Sequence, residues 1–230
     1  MKKATWLFSS VIAALLATGA PAVVSAETVG PGNATDNLET TTGGPLILQT
    51  DSDFATADST AEVIVNPGKL SLNKVPNLNF GSADVKDLIA GEKEFPLLNG
   101  NLGSSSTNYD GNANQVIEVQ DYRGSNVGWT LTANLDQFRG TKGDTIEASK
   151  LVLDGTPAST ADGIPGTLKN GVNVASQAGI VLSAGDGSGS GVTSVTLNSG
   201  TVLTLPEQNK IVADAYQAKI VWTLAATPAP

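Results

Sequence analysis

From Ser59 onward the chain is written in short apolar words separated by turn residues, and that texture constrains its fold more than any other feature. Segments of five to eight residues rich in Val, Ile, Leu and Thr alternate with clusters of Gly, Asn, Asp and Ser, the pattern of short strands joined by turns. The candidate strands are Lys69–Leu72, Gln115–Gln120, Gly128–Asn134, Leu151–Leu153, Ala178–Ser183, Thr193–Asn198, Thr201–Leu205 and Tyr216–Leu224. Val63-Ile64-Val65 reads as a further strand, closed by the turn residues Asn66-Pro67-Gly68. In the last strand, Ala218, Ile220, Trp222 and Leu224 fall on one face and Lys219, Val221 and Thr223 on the other. Val127, Trp129, Leu131 and Ala133 repeat that alternation. Only Ser82–Ala90 and Glu207–Ala215 suit short helices. The expectation is an all-β, antiparallel sandwich or barrel-like domain with long loops and few or no helices.

Residues 1–26 have a different origin. Met1-Lys2-Lys3 is a short positive region, Trp6 to Ala17 an apolar run, and Val24-Ser25-Ala26 a small-residue site. This is a signal peptide pattern, with cleavage before Glu27 and no membrane insertion afterwards. Residues 27–57 follow as a polar leader rich in Thr, Asp, Asn and Gly, which buries little apolar area and is expected to be flexible. Within it Leu46-Ile47-Leu48 suits one edge strand. The folded domain is placed at residues 58–230.

The chain has neither Cys nor His. Disulfides, Cys/His zinc sites and His-dependent nucleophile systems are therefore excluded, and the core must hold by burial alone. The formal charge is −9, and loss of Lys2 and Lys3 with the signal makes it two units more negative. Nucleic acid is a poor partner for such a chain, and attraction to a polyanionic wall polymer cannot rest on charge. No cofactor is expected.

Several motifs dissolve on inspection. Gly185, Gly187, Gly189 and Gly191 precede a β-rich segment, not the helix a dinucleotide loop requires, so they read as a loop between strands. Ser71-Leu72-Asn73-Lys74 spells Ser-x-x-Lys without a Lys-Thr-Gly partner or a helix. Asp110, Asn112 and Asn114 have the spacing of calcium ligands, but Gln115 stands where that loop needs Gly, and a polar turn is the default. Leu205-Pro206-Glu207 lacks the Thr and Gly of a wall-sorting signal.

Two tripeptides remain, Trp129-Thr130-Leu131 and Trp222-Thr223-Leu224, which hold both tryptophans outside the signal. Upstream of the first stand Asp121, Arg123 and Gly124; Tyr216 opens the strand of the second. Leu70-Ser71-Leu72 and Val75-Pro76-Asn77-Leu78-Asn79-Phe80-Gly81 form an earlier block. In these ordered blocks the chain resembles the WxL family of Gram-positive surface proteins over about residues 59–230. The resemblance implies a secreted, non-catalytic protein held non-covalently to cell-wall peptidoglycan. It also implies partnership with WxL-interacting surface proteins and adhesion to host matrix proteins; an assembly protein held by such a partner is the alternative. Trp129, Leu131, Trp222 and Leu224 are then the candidate binding residues. The alternation around them gives a second reading, two neighbouring strands packing one core, which is the expectation for both tryptophans. Asp121 and Arg123 share a face, so a structural ion pair competes with recognition.

Overall fold

The computed structural model describes residues 60–103, 106–160 and 162–228, together with the backbone of residues 38–39 and 47–48. Residues 1–26, read from sequence as a signal peptide, and most of residues 27–57, read as a leader, lie outside the described residues. The chain divides into two compact units, residues 1–65 and 66–230.

In the N-terminal unit, β1 (Leu38–Glu39) pairs antiparallel with β2 (Ile47–Leu48). The short apolar run of the leader thus pairs, but within a two-stranded sheet of its own. Val63, Ile64 and Val65 form no strand and are exposed. This departs from the sequence expectation: β propensity alone makes no strand where no neighbouring strand offers a ladder.

The C-terminal unit runs β3 (Leu70–Pro76), α1 (Val85–Ile89), β4 (Lys93–Pro96), β5 (Gly111–Asn112), β6 (Val116–Asp121) and β7 (Trp129–Leu135). It continues through β8 (Phe138–Gly140), β9 (Thr145–Ile146), β10 (Lys150–Leu153), β11 (Thr167–Leu168), β12 (Val172–Asn173) and β13 (Gly179–Ala184). It closes with β14 (Gly191–Thr196), β15 (Val202–Leu205), β16 (Tyr216–Gln217) and β17 (Ile220–Ala225). The sheets have the orders β14-β6-β3-β5, β11-β13-β7-β17, β12-β10-β15-β4 and β16-β8-β9. Pairing is antiparallel except for the parallel contact of β3 with β5, as expected for an all-β chain.

Sidedness follows the two-residue period of the strand. Ile117 and Val119 of β6 and Leu151 and Leu153 of β10 are buried, while their neighbours face outward. The strands β7 and β13 are central and bury more: a register shift between Ile180 and Leu182 lets Val181 and Leu182 both enter the core. Each such aliphatic side chain contributes about 1.5–3 kcal/mol, the main stabilisation open to a chain without cysteine. Buried polar groups are answered locally. The Thr201 hydroxyl donates to the Asp154 carbonyl at 2.8 Å and accepts the Asp154 N–H at 2.9 Å.

Three expectations change in detail. The helix expected at Ser82–Ala90 shrinks to five residues, held down by buried Leu88. Glu207–Ala215 is a series of turns, fixed where the Gln208 N–H donates to the Leu88 carbonyl at 2.8 Å. The strand expected at Tyr216–Leu224 breaks at Ala218 and Lys219, so β16 pairs with β8 and β17 pairs with β7.

Candidate functional site

The two Trp-x-Leu strands are hydrogen-bonded neighbours. β17 runs antiparallel to β7, with Leu224 opposite Leu131 and Trp222 opposite Ala133. The alternation read from sequence puts Trp129, Leu131 and Ala133 on the inner face. Val127 does not extend that stripe: it precedes the strand, in a loop, and is exposed.

The two rings have different environments. Trp129 is fully buried, and its indole N–H donates to the Gly189 carbonyl at 3.0 Å. Glycines make room for it. A Cβ on Gly166 would stand 2.8 Å from the ring, and one on Gly189 would stand 2.5 Å from the indole nitrogen. Gly189 also has φ of +81°, a conformation side-chain-bearing residues avoid. The glycine-rich loop before β14 thus closes over Trp129, a role that spacing alone did not reveal.

Trp222 is only half-buried, as is Leu224. It lines an open cleft of about 1280 Å³ together with Phe80, Phe138 and Tyr216, and Asn77 and Arg139 add polar groups. The expectation of a core role for both tryptophans meets a full core residue at Trp129 and, at Trp222, a ring that packs against the core and also lines the cleft. Tyr216 is set by its hydroxyl, which donates to the Val212 carbonyl at 2.9 Å.

Asp121, Arg123 and Gly124 form the corner between β6 and β7. The Arg123 guanidinium donates Nε to one Asp121 oxygen at 2.9 Å and Nη2 to the other at 2.7 Å. It also donates to the Gly128 carbonyl at 2.6 Å and the Ala226 carbonyl at 3.1 Å. Gly124, at φ +73°, gives the turn its left-handed step. The Arg123 hydrogen bond holds the Asp121 carboxyl below its usual range despite burial, and Asp121 in turn raises Arg123. These four bonds are all internal to the protein. The corner is a clasp that ties the end of β6 to the exit of β17, and Thr130 reinforces it by donating to the Thr227 carbonyl at 2.9 Å.

The Asp110 turn is likewise occupied by the protein itself. Asn112 donates to the carbonyls of Val75 and Val116, while its side-chain oxygen accepts the N–H groups of Asn114 and Val116. That oxygen has no free lone pair for a cation. Ser71 and Lys74 are structural as well: Ser71 donates to Asn73, and Lys74 pairs with Glu118 at 2.6 Å. Among the described residues, every buried side-chain nitrogen or oxygen has a partner, so none is left aimed at an absent ligand. No helix of the described residues is long and apolar enough to cross a membrane.

A family model described as WxL domain surface cell wall-binding matches residues 25–228. No curated protein and no solved structure matches the chain.

Proposed function

The chain belongs to the WxL family of surface cell wall-binding domains, and on that premise we propose that it is a non-catalytic module that touches peptidoglycan directly. It is a wall-associated extracellular domain. The observation that supports direct contact is the cleft beside Trp222. An aromatic face offers apolar area to the C–H face of a sugar ring, while neighbouring amide and guanidinium groups meet its hydroxyls. Trp222, Tyr216 and Phe138 supply the first, and Asn77 and Arg139 the second. Trp129 supplies none of this, because its ring is closed off.

Pull-down on purified, protein-stripped peptidoglycan tests the reading. The wild-type protein is expected to bind without any other protein. Trp222 also packs against the core, so Trp222→Ala is expected to melt lower than wild type, and at a temperature where it is still fully folded it is expected to have lost most of that binding. Assay of the same incubations for released sugars is expected to stay at background. A second reading, in which a WxL-interacting surface protein holds the domain, is favoured by the apolar weight of the cleft. Failure to bind bare peptidoglycan, with binding regained on untreated walls, would select it.

A further inference from the structure

Two features of this chain are complementary to one another. The first is Val63-Ile64-Val65, with exposures of 85%, 66% and 87%. Three consecutive β-branched residues favour an extended strand, yet none of them belongs to one. The segment's base is fixed. Pro67 keeps Asn66 out of the helical region, and the Gly68 N–H donates to the Tyr122 carbonyl at 2.7 Å.

The second feature is the outer edge of β17. Among the described residues β17 is terminal in its sheet and pairs with β7 alone. The Asp136 N–H donates to the Lys219 carbonyl, which sets the ladder: Lys219, Val221, Thr223 and Ala225 turn their backbone groups toward β7. Ile220, Trp222 and Leu224 therefore turn theirs away, an edge that no strand of the described residues covers. Arg123 closes only its far end, at Ala226.

We propose that residues 61–65 of one copy add as a parallel strand to the β17 edge of a second copy, giving head-to-tail association. Unpaired backbone groups along an extended edge call for another polypeptide backbone, and the face pattern with the charges selects the register. Setting Glu62 beside Lys219 places opposite charges on the outer face. Among the described residues no carboxylate pairs with Lys219, whose ammonium lies 5.9 Å from the Tyr109 ring centre. In that register Ile64 covers Val221, which is 39% exposed, and Val63 and Val65 lie beside Ile220 and Trp222 on the inner face. Donor and acceptor are different patches, so the contact is heterologous: it gives a ring where the rotation between copies closes and an open row where it does not. Addition occurs in the plane of the sheet and goes beyond the wall contact proposed above.

Sedimentation velocity over a concentration series tests this on the purified protein. The expected result is association that grows with concentration and disperses when a peptide of residues 61–66 is added in excess. Ile64→Asp is expected to weaken association roughly tenfold or more with an unchanged melting temperature, since the side chain is exposed. Glu62→Lys and Lys219→Glu should each weaken it, and the two together should restore it. Protein that stays monomeric at every concentration would overturn the proposal. So would Ile64→Asp associating like wild type, association indifferent to the peptide, or a charge swap that fails to restore. Wall pull-down of Ile64→Asp keeps the two proposals separate, because it should still bind peptidoglycan.

Discussion

Replacing Trp129 by Ala should be among the most damaging single changes this domain can undergo. The ring is fully buried, and its removal leaves a cavity that the strands on either side cannot collapse to fill, at about 3–5 kcal/mol. The Gly189 carbonyl also loses its donor, adding about 1 kcal/mol or more. Against a total stability of roughly 5–15 kcal/mol, a loss near 5 kcal/mol lowers the melting temperature by about 10–20 °C. Urea titration with thermal melts is the assay, and the midpoint should fall with little change in slope. Gly189→Ala attacks the same contact from the other side, since its Cβ would meet the indole nitrogen at 2.5 Å, and it should destabilise the domain in the same direction. A Trp129→Ala protein that melts within about 5 °C of wild type would refute the argument that the proximal motif is core.

Asp121 gives the domain an acid sensitivity. Its carboxyl titrates below its ordinary 3.8 in the folded state, so its contribution is complete above that value and lost as pH falls through the lower, folded one. Urea titrations at pH 7 and near pH 3 should show this loss, and Asp121→Asn should cost about 3 kcal/mol at neutral pH and remove part of the difference. A chain beginning at Asp58 should fold and bind the wall like the longer form, as solubility, melting and pull-down will show. Because the chain is acidic, at −9, raising salt from about 0.05 to 0.5 M should change wall binding by about twofold at most; a steep fall would mean an ionic contact.

Sequence patterning reached far into this fold because most strands carry their own two-residue period. Ile117, Val119, Leu151, Leu153 and Val195 are buried where alternation puts them. It failed where a neighbour decides the outcome. The two-residue strands β11 and β12 carry no pattern of their own and exist only because β13 and β10 offer them edges. Val63–Val65 has the right residues and no ladder. At the site, Asp121 and Arg123 were legible as one-faced partners two residues apart. The separate fates of Trp129 and Trp222 were not, because identical local words are distinguished only by what packs over them. The glycines that admit Trp129 stand near residue 166 and residue 189, and nothing short of the fold connects them to it.

The clasp at Arg123 also sets an order of events. Its bond to Ala226 spans 103 residues, and β7 sits between β13 and β17, both made after it. A chain made N-terminus first therefore has β7 bare on both edges until β13 and β17 follow. It must remain unfinished until the distal motif emerges. Such long-range closure folds slowly, and in that interval the exposed edges are open to proteases and to other chains. A product cut short before Trp222 lacks the strand that completes the sheet and the carbonyl that Arg123 grips. The distal motif thus acts as a certificate of length: only chains that reach it can close.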